Sequence, residues 1–142
     1  MNKKWLIWLS VILVVVFGGR ALVQYMSRSA NENAADHRVK AFLRGMSTGG
    51  DFQEAFNMWE TGAVTAIQRM SQEQYNAEVG LLNEWMAERE LGERIGRYEI
   101  LEATMVAPPE GVWGATVTVT CTIDGKRLTI RAVKDKRLEW VD

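Results

Sequence analysis

The sequence predicts an α+β protein: one N-terminal transmembrane helix, then about three helices packed on one face of a roughly four-stranded antiparallel sheet. Three observations carry this. Residues 5–17 read WLIWLSVILVVVF, apolar on every side of a helix, with Ser10 the only polar side chain. Between residues 34 and 91 apolar residues recur at helical spacing. After Gly96 the period falls to two, and Trp113, Ala115, Val117, Val119, Cys121 and Ile123 alternate with Gly114 and four threonines.

The first element, residues 1–26, is expected to be a membrane anchor. The run from Trp5 to Val23 is 19 residues. At a rise of about 1.5 Å per residue it nearly spans a hydrocarbon core of roughly 30 Å. The Ser10 hydroxyl can bond back to its own helix. Trp5 at one end, and Arg20 and Tyr25 at the other, suit the membrane interfaces, where indole and phenol rings sit and a long basic stem snorkels. Gly18 and Gly19 would let another helix approach closely, and with Trp8 they form the expected contact with a transmembrane partner. Two rival readings remain open. One is a secretory signal cleaved near Gly19-Arg20-Ala21; the other is a buried core helix. No cysteine follows the run, so a lipoprotein is excluded.

Lys3 and Lys4 favour a cytoplasmic N-terminus, whereas a plain count of Arg28, Arg38, Lys40 and Arg44 favours the reverse. The latter stand among acids in a segment that looks folded. The expectation is a single-pass protein of the cell inner membrane, with its C-terminal domain on the periplasmic side.

Residues 27–33 (SRSANEN) read as a short tether or N-cap region, and residues 34–142 as the extramembrane domain. Ala35, Val39, Phe42, Leu43 and Met46 share one helical face, which Gly49-Gly50 should end. Asp51 and Glu54 have capping-box spacing ahead of Phe52, Ala55, Phe56 and Trp59; Gly62 interrupts that helix. Residues 63–70 are ambiguous, with one further helical turn the best reading. Ser71 and Gln74 form a second box ahead of Tyr75, Val79, Leu82, Trp85 and Met86, with Gly92 as the stop. Glu73, Glu78, Glu84 and Glu88 read as a solvated face.

Tyr98–Val106 is a strand, and Ala107-Pro-Pro-Glu-Gly111 a loop, because adjacent prolines cannot donate to a ladder. The alternating run to Ile123 is a strand with one buried face. Asp124-Gly125 is a type I′ hairpin signal. Lys126–Val133 returns with Leu128, Ile130 and Ala132 inward. Lys134–Lys136 turns, and Leu138–Val141 closes the sheet.

This order of elements resembles the nuclear-transport-factor-2-like superfamily, or a cystatin-like arrangement. The residues carrying it are FQEAFNMW at 52–59, YNAEVGLLNEWM at 75–86 and RLEWVD at 137–142. The layout is similar to that of inner-membrane assembly factors of type IV secretion systems. Those factors are longer and carry an Asn-Pro-x-Gly element; here the prolines are Pro108 and Pro109, and that element is absent. The resemblance implies a cone of helices against a curved sheet, which in some members holds a ligand or active-site pocket and in others only mediates assembly.

The chain offers little chemistry. From residue 30 onward 18 acids stand against 13 Lys and Arg, a net charge near −5, which argues against nucleic acid as partner. One histidine and one cysteine exclude the usual zinc sites and any intramolecular disulfide. His37 could serve as a general base oriented by Asp36, but beside Arg38 and Lys40 it reads as a solvated helix residue. Cys121 reads as an inert core thiol. Trp59, Trp85, Trp113 and Trp140 either fill the core or wall a pocket for an apolar ligand. No cofactor or metal is expected. The leading expectation is a non-catalytic accessory or assembly subunit of a secretory, respiratory or photosynthetic membrane complex. Its partners would be lipid and other transmembrane subunits. The alternatives are a tethered module for a small apolar ligand or lipid, and an enzyme using His37.

Overall fold

The computed structural model describes residues 3–63, 67–107 and 115–142, without the side chains of Val14, residues 17–25 and Ser27. In chain order it contains α1 (Lys3–Met46), α2 (Phe52–Glu60), a 3₁₀ turn (Ile67–Arg69) and α3 (Gln72–Ala87). Then come β1 (Tyr98–Ala107), β2 (Thr116–Ile123), β3 (Lys126–Val133) and β4 (Glu139–Trp140). Residues Met1–Ala30 and Asn31–Asp142 form two compact units.

α1 is one unbroken element, so residues 27–33 are helical and no fresh helix starts at Ala34. That corrects the expected tether. Ser and Asn lower helix propensity by only a few tenths of a kcal/mol each, too little to interrupt a helix that has strong formers on both sides. The bond foreseen for Ser10 is present: its Oγ donates to the Leu6 carbonyl at 3.0 Å.

Within Asn31–Asp142 the expected helical faces meet. Ala35, Val39, Phe42, Leu43 and Met46 of α1 are buried with Ala55, Phe56 and Trp59 of α2 and Leu82, Trp85 and Met86 of α3. Each fully buried large side chain among them is worth about 1.5–3 kcal/mol of transfer free energy. α1 approaches α2 at Gly45, where a Cβ would lie 2.6 Å from the Asp51 carbonyl and 2.7 Å from the Ala55 Cβ.

The sheet is an antiparallel meander of order β1-β2-β3-β4. On β2, Val117, Val119, Cys121 and Ile123 face the helices, and the threonines on the other side are half-buried. Val119 opposes Ile130, and Val117 opposes Ala132, so both strands present apolar residues to the same core. Asp124 and Gly125 have φ of 49° and 83°, as the hairpin signal requires. Asp124 Oδ1 also accepts from the Gly96 and Arg97 amides at 2.9 and 2.8 Å, fixing where β1 begins. On β1 the Met105 amide donates to Glu32 Oε1 of α1 at 3.0 Å, which occupies part of the sheet edge.

Other boundaries differ from the sequence reading. Asp51 caps α2 by accepting from Gln53 rather than Glu54, and Glu54 pairs with Arg44 at 2.6 Å, so no reciprocal box forms there. The Ser71–Gln74 box is complete in both directions. α3 ends at Ala87, not at Gly92: Leu91 N donates to Met86 O and Glu90 N to Ala87 O, a Schellman closure with Glu90 left-handed at φ 57°. β4 is shorter than Leu138–Val141, because Asp135 (φ 61°) and the turn around it consume the preceding residues. The 107–111 loop, apart from Ala107 at the end of β1, and Trp113 lie outside the described residues.

One side chain ties these elements together. Arg38, on α1, donates from Nε to Met58 O at 2.6 Å, from Nη1 to Val133 O at 2.9 Å, and from Nη2 to Trp59 O at 3.3 Å and to Lys136 O. The guanidinium thus closes the C-terminus of α2 and the β3–β4 turn at once. Gly62, at φ 75°, makes room: a Cβ there would lie 2.9 Å from Arg38 Nε. Burial pushes the Arg38 pKa down to about 10, opposed by nearby Asp135, so it remains charged at neutral pH.

Two outcomes follow for urea unfolding of the chain. Arg38→Ala should lose about 2–4 kcal/mol, since four carbonyls lose a charged donor; Arg38→Lys should restore less than half, because one ammonium cannot fork among them. Glu90→Gly should gain about 0.5–1 kcal/mol by removing left-handed strain from a residue with a Cβ.

Candidate functional site

Two surfaces hold the residues singled out from sequence. The first is the N-terminal half of α1. Every described large apolar residue from Trp5 to Val16 is exposed, between 44% and 68%, and these residues lie on all sides of the helix. Trp5 and Trp8 are among them. Gly18 and Gly19 lie within α1, while the side chains of Arg20 and Tyr25 are outside the described residues. Among the described residues no helix is long and apolar enough to cross a membrane.

The second surface is a groove of about 710 Å3 between α3 and β4, reached by Trp59, Trp85 and Trp140. Phe56 and Trp59 sit on the buried face of α2 and Trp85 on that of α3, because residues three and four apart share a helical face. Trp85 and Trp140 stack with ring centres 3.9 Å apart and planes 9° from parallel. Trp140 Nε1 donates to the Trp85 carbonyl at 2.8 Å, closing part of the C-terminal turn of α3. The Nε1 groups of Trp59 and Trp85 are buried and, among the described residues, have no acceptor. Arg137 lies over the Trp59 ring at 5.3 Å, and Arg89 over the Trp140 ring at 5.7 Å.

At the margin of this groove Arg137 binds two carboxylates, Glu60 at 2.8 Å and Glu78 more closely still. Partial burial raises the Glu78 pKa first and the Glu60 charge raises it further, against the lowering effect of Arg137. Both carboxylates thus meet over one cation, so each raises the cost of charging the other.

The remaining candidates are not brought together. His37 is exposed on α1 and, among the described residues, has no hydrogen-bonded or ion-paired partner; it lines a shallow depression with Lys40 and Arg44 rather than with a carboxylate. Cys121 is fully buried on the core face of β2, and burial lifts its thiol pKa to about 11, so thiolate chemistry is unavailable. Among the described residues no three His, Cys, Asp or Glu side chains cluster to hold a metal. Sequence reasoning missed Arg137 and Arg89 at the groove, and it read Glu84 and Glu88 only as part of a solvated face. Glu84 and Glu88 flank Trp85 in sequence, and that adjacency was the available signal.

No protein-family model, curated protein or solved structure matches the chain.

The Glu60–Glu78 pair yields a pH signature. Glu78 binds its proton more tightly folded than unfolded, so stability should increase as pH falls from neutral toward its ordinary value of 4.5, and decline as pH rises through the folded pKa. Thermal melts of Glu78→Gln across that window should lose this contribution and show a flatter profile than the parent chain.

Proposed function

We propose that the protein is a non-catalytic accessory or assembly subunit of a larger membrane complex, held by its N-terminal helix, with its α+β domain as the working part. The observation that carries this is the exposure of every described large apolar side chain from Trp5 to Val16. Leaving so much apolar surface in water forfeits about 25 cal/mol per Å2. Contiguous apolar patches larger than a few hundred Å2 mark interaction surfaces. In sequence the apolar run continues through Phe17, Ala21, Leu22 and Val23, the composition a bilayer accepts. Gly18 and Gly19 favour a helix partner in the same medium.

On this reading the N-terminus lies in the cytoplasm and the domain on the periplasmic side of an inner membrane. The nuclear-transport-factor-2-like layout, if shared, would fit a member that mediates assembly. The alternatives gain less support. Side chains of the helices and sheet fill the described core, with Val39, Phe42, Leu43, Phe56, Leu82, Val119 and Ile130 at 0% exposure, leaving little room for an enclosed apolar ligand. Among the described residues His37 has no hydrogen-bonded group to orient it.

The test is co-purification of the tagged full chain in mild detergent, with mass spectrometry. The expected result is retention in membranes after an alkaline wash and recovery of specific membrane proteins, reduced about tenfold by Gly18→Leu with Gly19→Leu. A chain that washes off membranes, or runs alone as a monomer, would overturn the proposal.

A further inference from the structure

The groove between α3 and β4 carries more carboxylate than its own arginines neutralise. Asp142 is paired with Arg89 at 2.5 Å, and Glu139 with Arg131 at 3.3 Å. Glu84 near the end of α3 and Glu88, one turn on and just past its last residue, both line the groove and are exposed, and neither side chain has a partner among the described residues. Leu81, 41% exposed, stands one turn before Glu84 on the same helix and also lines the groove. The margin thus offers an aliphatic seat followed by two free anions.

Three features narrow the occupant. First, the tryptophan rings at the groove already hold guanidinium groups, so its aromatic surface and its charge favour the same kind of ligand, a cation with an apolar stem. Second, among the described residues β4 is an edge strand with no strand on its outer side, a place where an extended backbone can pair. Third, the buried indole N–H groups of Trp59 and Trp85, residues 98% and 92% buried, have no acceptor among the described residues, and a peptide backbone is a ligand that brings carbonyl acceptors.

Spacing agrees with an extended segment. Along the helix axis Leu81 and Glu84, three residues apart, are separated by about 4.5 Å, and Glu84 and Glu88, four apart, by about 6 Å. Alternate residues of a strand are about 6.6 Å apart on one face. An extended peptide with an aliphatic residue at i and basic residues at i+2 and i+4 would therefore set the aliphatic group near Leu81 and the two cations near Glu84 and Glu88.

We infer that the α3–β4 groove docks an extended basic–apolar peptide segment of a partner protein. This rests on the subunit reading above and names the contact through which the domain would hold its partner.

The test uses the full chain in phosphatidylcholine nanodiscs and a fluorescein-labelled peptide, Lys-Ser-Lys-Ser-Leu-Ser-Lys-Ser-Lys, whose pattern is the same in either chain direction. Saturable binding by fluorescence anisotropy is expected, weakened at least about tenfold by Glu84→Lys with Glu88→Lys, a loss of about 1.4 kcal/mol. Leu81→Ser should weaken it by a smaller factor. The same peptide with Glu for Lys should not bind. Both altered sites are exposed, and an unchanged near-ultraviolet circular dichroism spectrum will confirm that the fold persists. The inference is overturned by absence of saturable binding, by equal binding of the charge-reversed double variant, by equal binding of the acidic peptide, or by binding to empty nanodiscs alone. Recovery of membrane partners without peptide binding would remove the groove contact and leave the subunit reading intact.

Discussion

The folded unit depends on how three helices dispose of their C-terminal carbonyls. An α-helix leaves its last four carbonyls without internal partners, and inside a protein each unpaired one is costly. Here the partners come from distant parts of the chain. Arg94 donates to Gly45 O and Ile95 N to Met46 O at the end of α1. Arg38 serves Met58 and Trp59 at the end of α2. Trp140 and Lys126 serve Trp85, Arg89 and Glu90 around the end of α3. Every one of these bonds joins a helix end to another element, so the helices cannot be terminated correctly until the tertiary fold is in place. Arg38 matters most because its fork also binds Val133 and Lys136, where β3 turns toward β4.

That dependence also positions the groove. Leu138 N donates to Trp59 O at 2.9 Å, alongside the Arg38 bond to the same carbonyl. The end of α2 is thereby joined to the start of the last strand, and Trp140 is delivered onto Trp85 two residues later. A two-residue strand has little pairing of its own, with only Ile130↔Trp140 and Arg131↔Glu139 in register. Its place is set by indole stacking, by the Trp140–Trp85 hydrogen bond and by the caps at α2. The aromatic wall of the groove and the termination of two helices are one arrangement.

Much of this was legible in the sequence wherever periodicity decides the outcome. The buried stripe Ala35–Met46 and the alternation from Ala115 to Ile123 are patterns that only one face of a helix or strand satisfies. The Asp124-Gly125 turn needs two positive φ values, which that dipeptide supplies at low cost. What was not legible depends on partners far away in sequence. Arg38 looked like one of several charges along a helix, and nothing local shows that four carbonyls converge on it. Glycine is the usual left-handed residue, so the sequence points to Gly92 as the end of α3; Glu90 takes that role because Leu91 can then pack into the core and Lys126 can bind the Arg89 and Glu90 carbonyls. The polar composition of SRSANEN suggests a break, yet α1 continues through it. Composition reports solvation, and seven polar or small residues without proline or glycine can remain helical.

The unpaired charge at the groove has a cause in the same network. A surface built with 13 basic residues beyond position 29 has enough cations to neutralise Glu84 and Glu88, yet among the described residues neither forms an ion pair. Arg137 is held by Glu60, Glu78 and the Trp59 ring. Arg89 is held by Asp142 and the Trp140 ring. Lys126 is held by the backbone at the end of α3, and Arg38 by its four carbonyls. Capping by long-range cations therefore has a consequence at the surface: each guanidinium that terminates a helix or covers an indole is withdrawn from the acids beside it. Solvent screens Glu84 and Glu88 adequately while they are exposed, so they cost the isolated domain little. Their carboxylates gain most from a cation that arrives with its own apolar surface and excludes that solvent, since the attraction strengthens as the local dielectric falls. Folding leaves these two carboxylates without an ion-paired partner among the described residues, so the electrostatic gain from such a cation remains available to association.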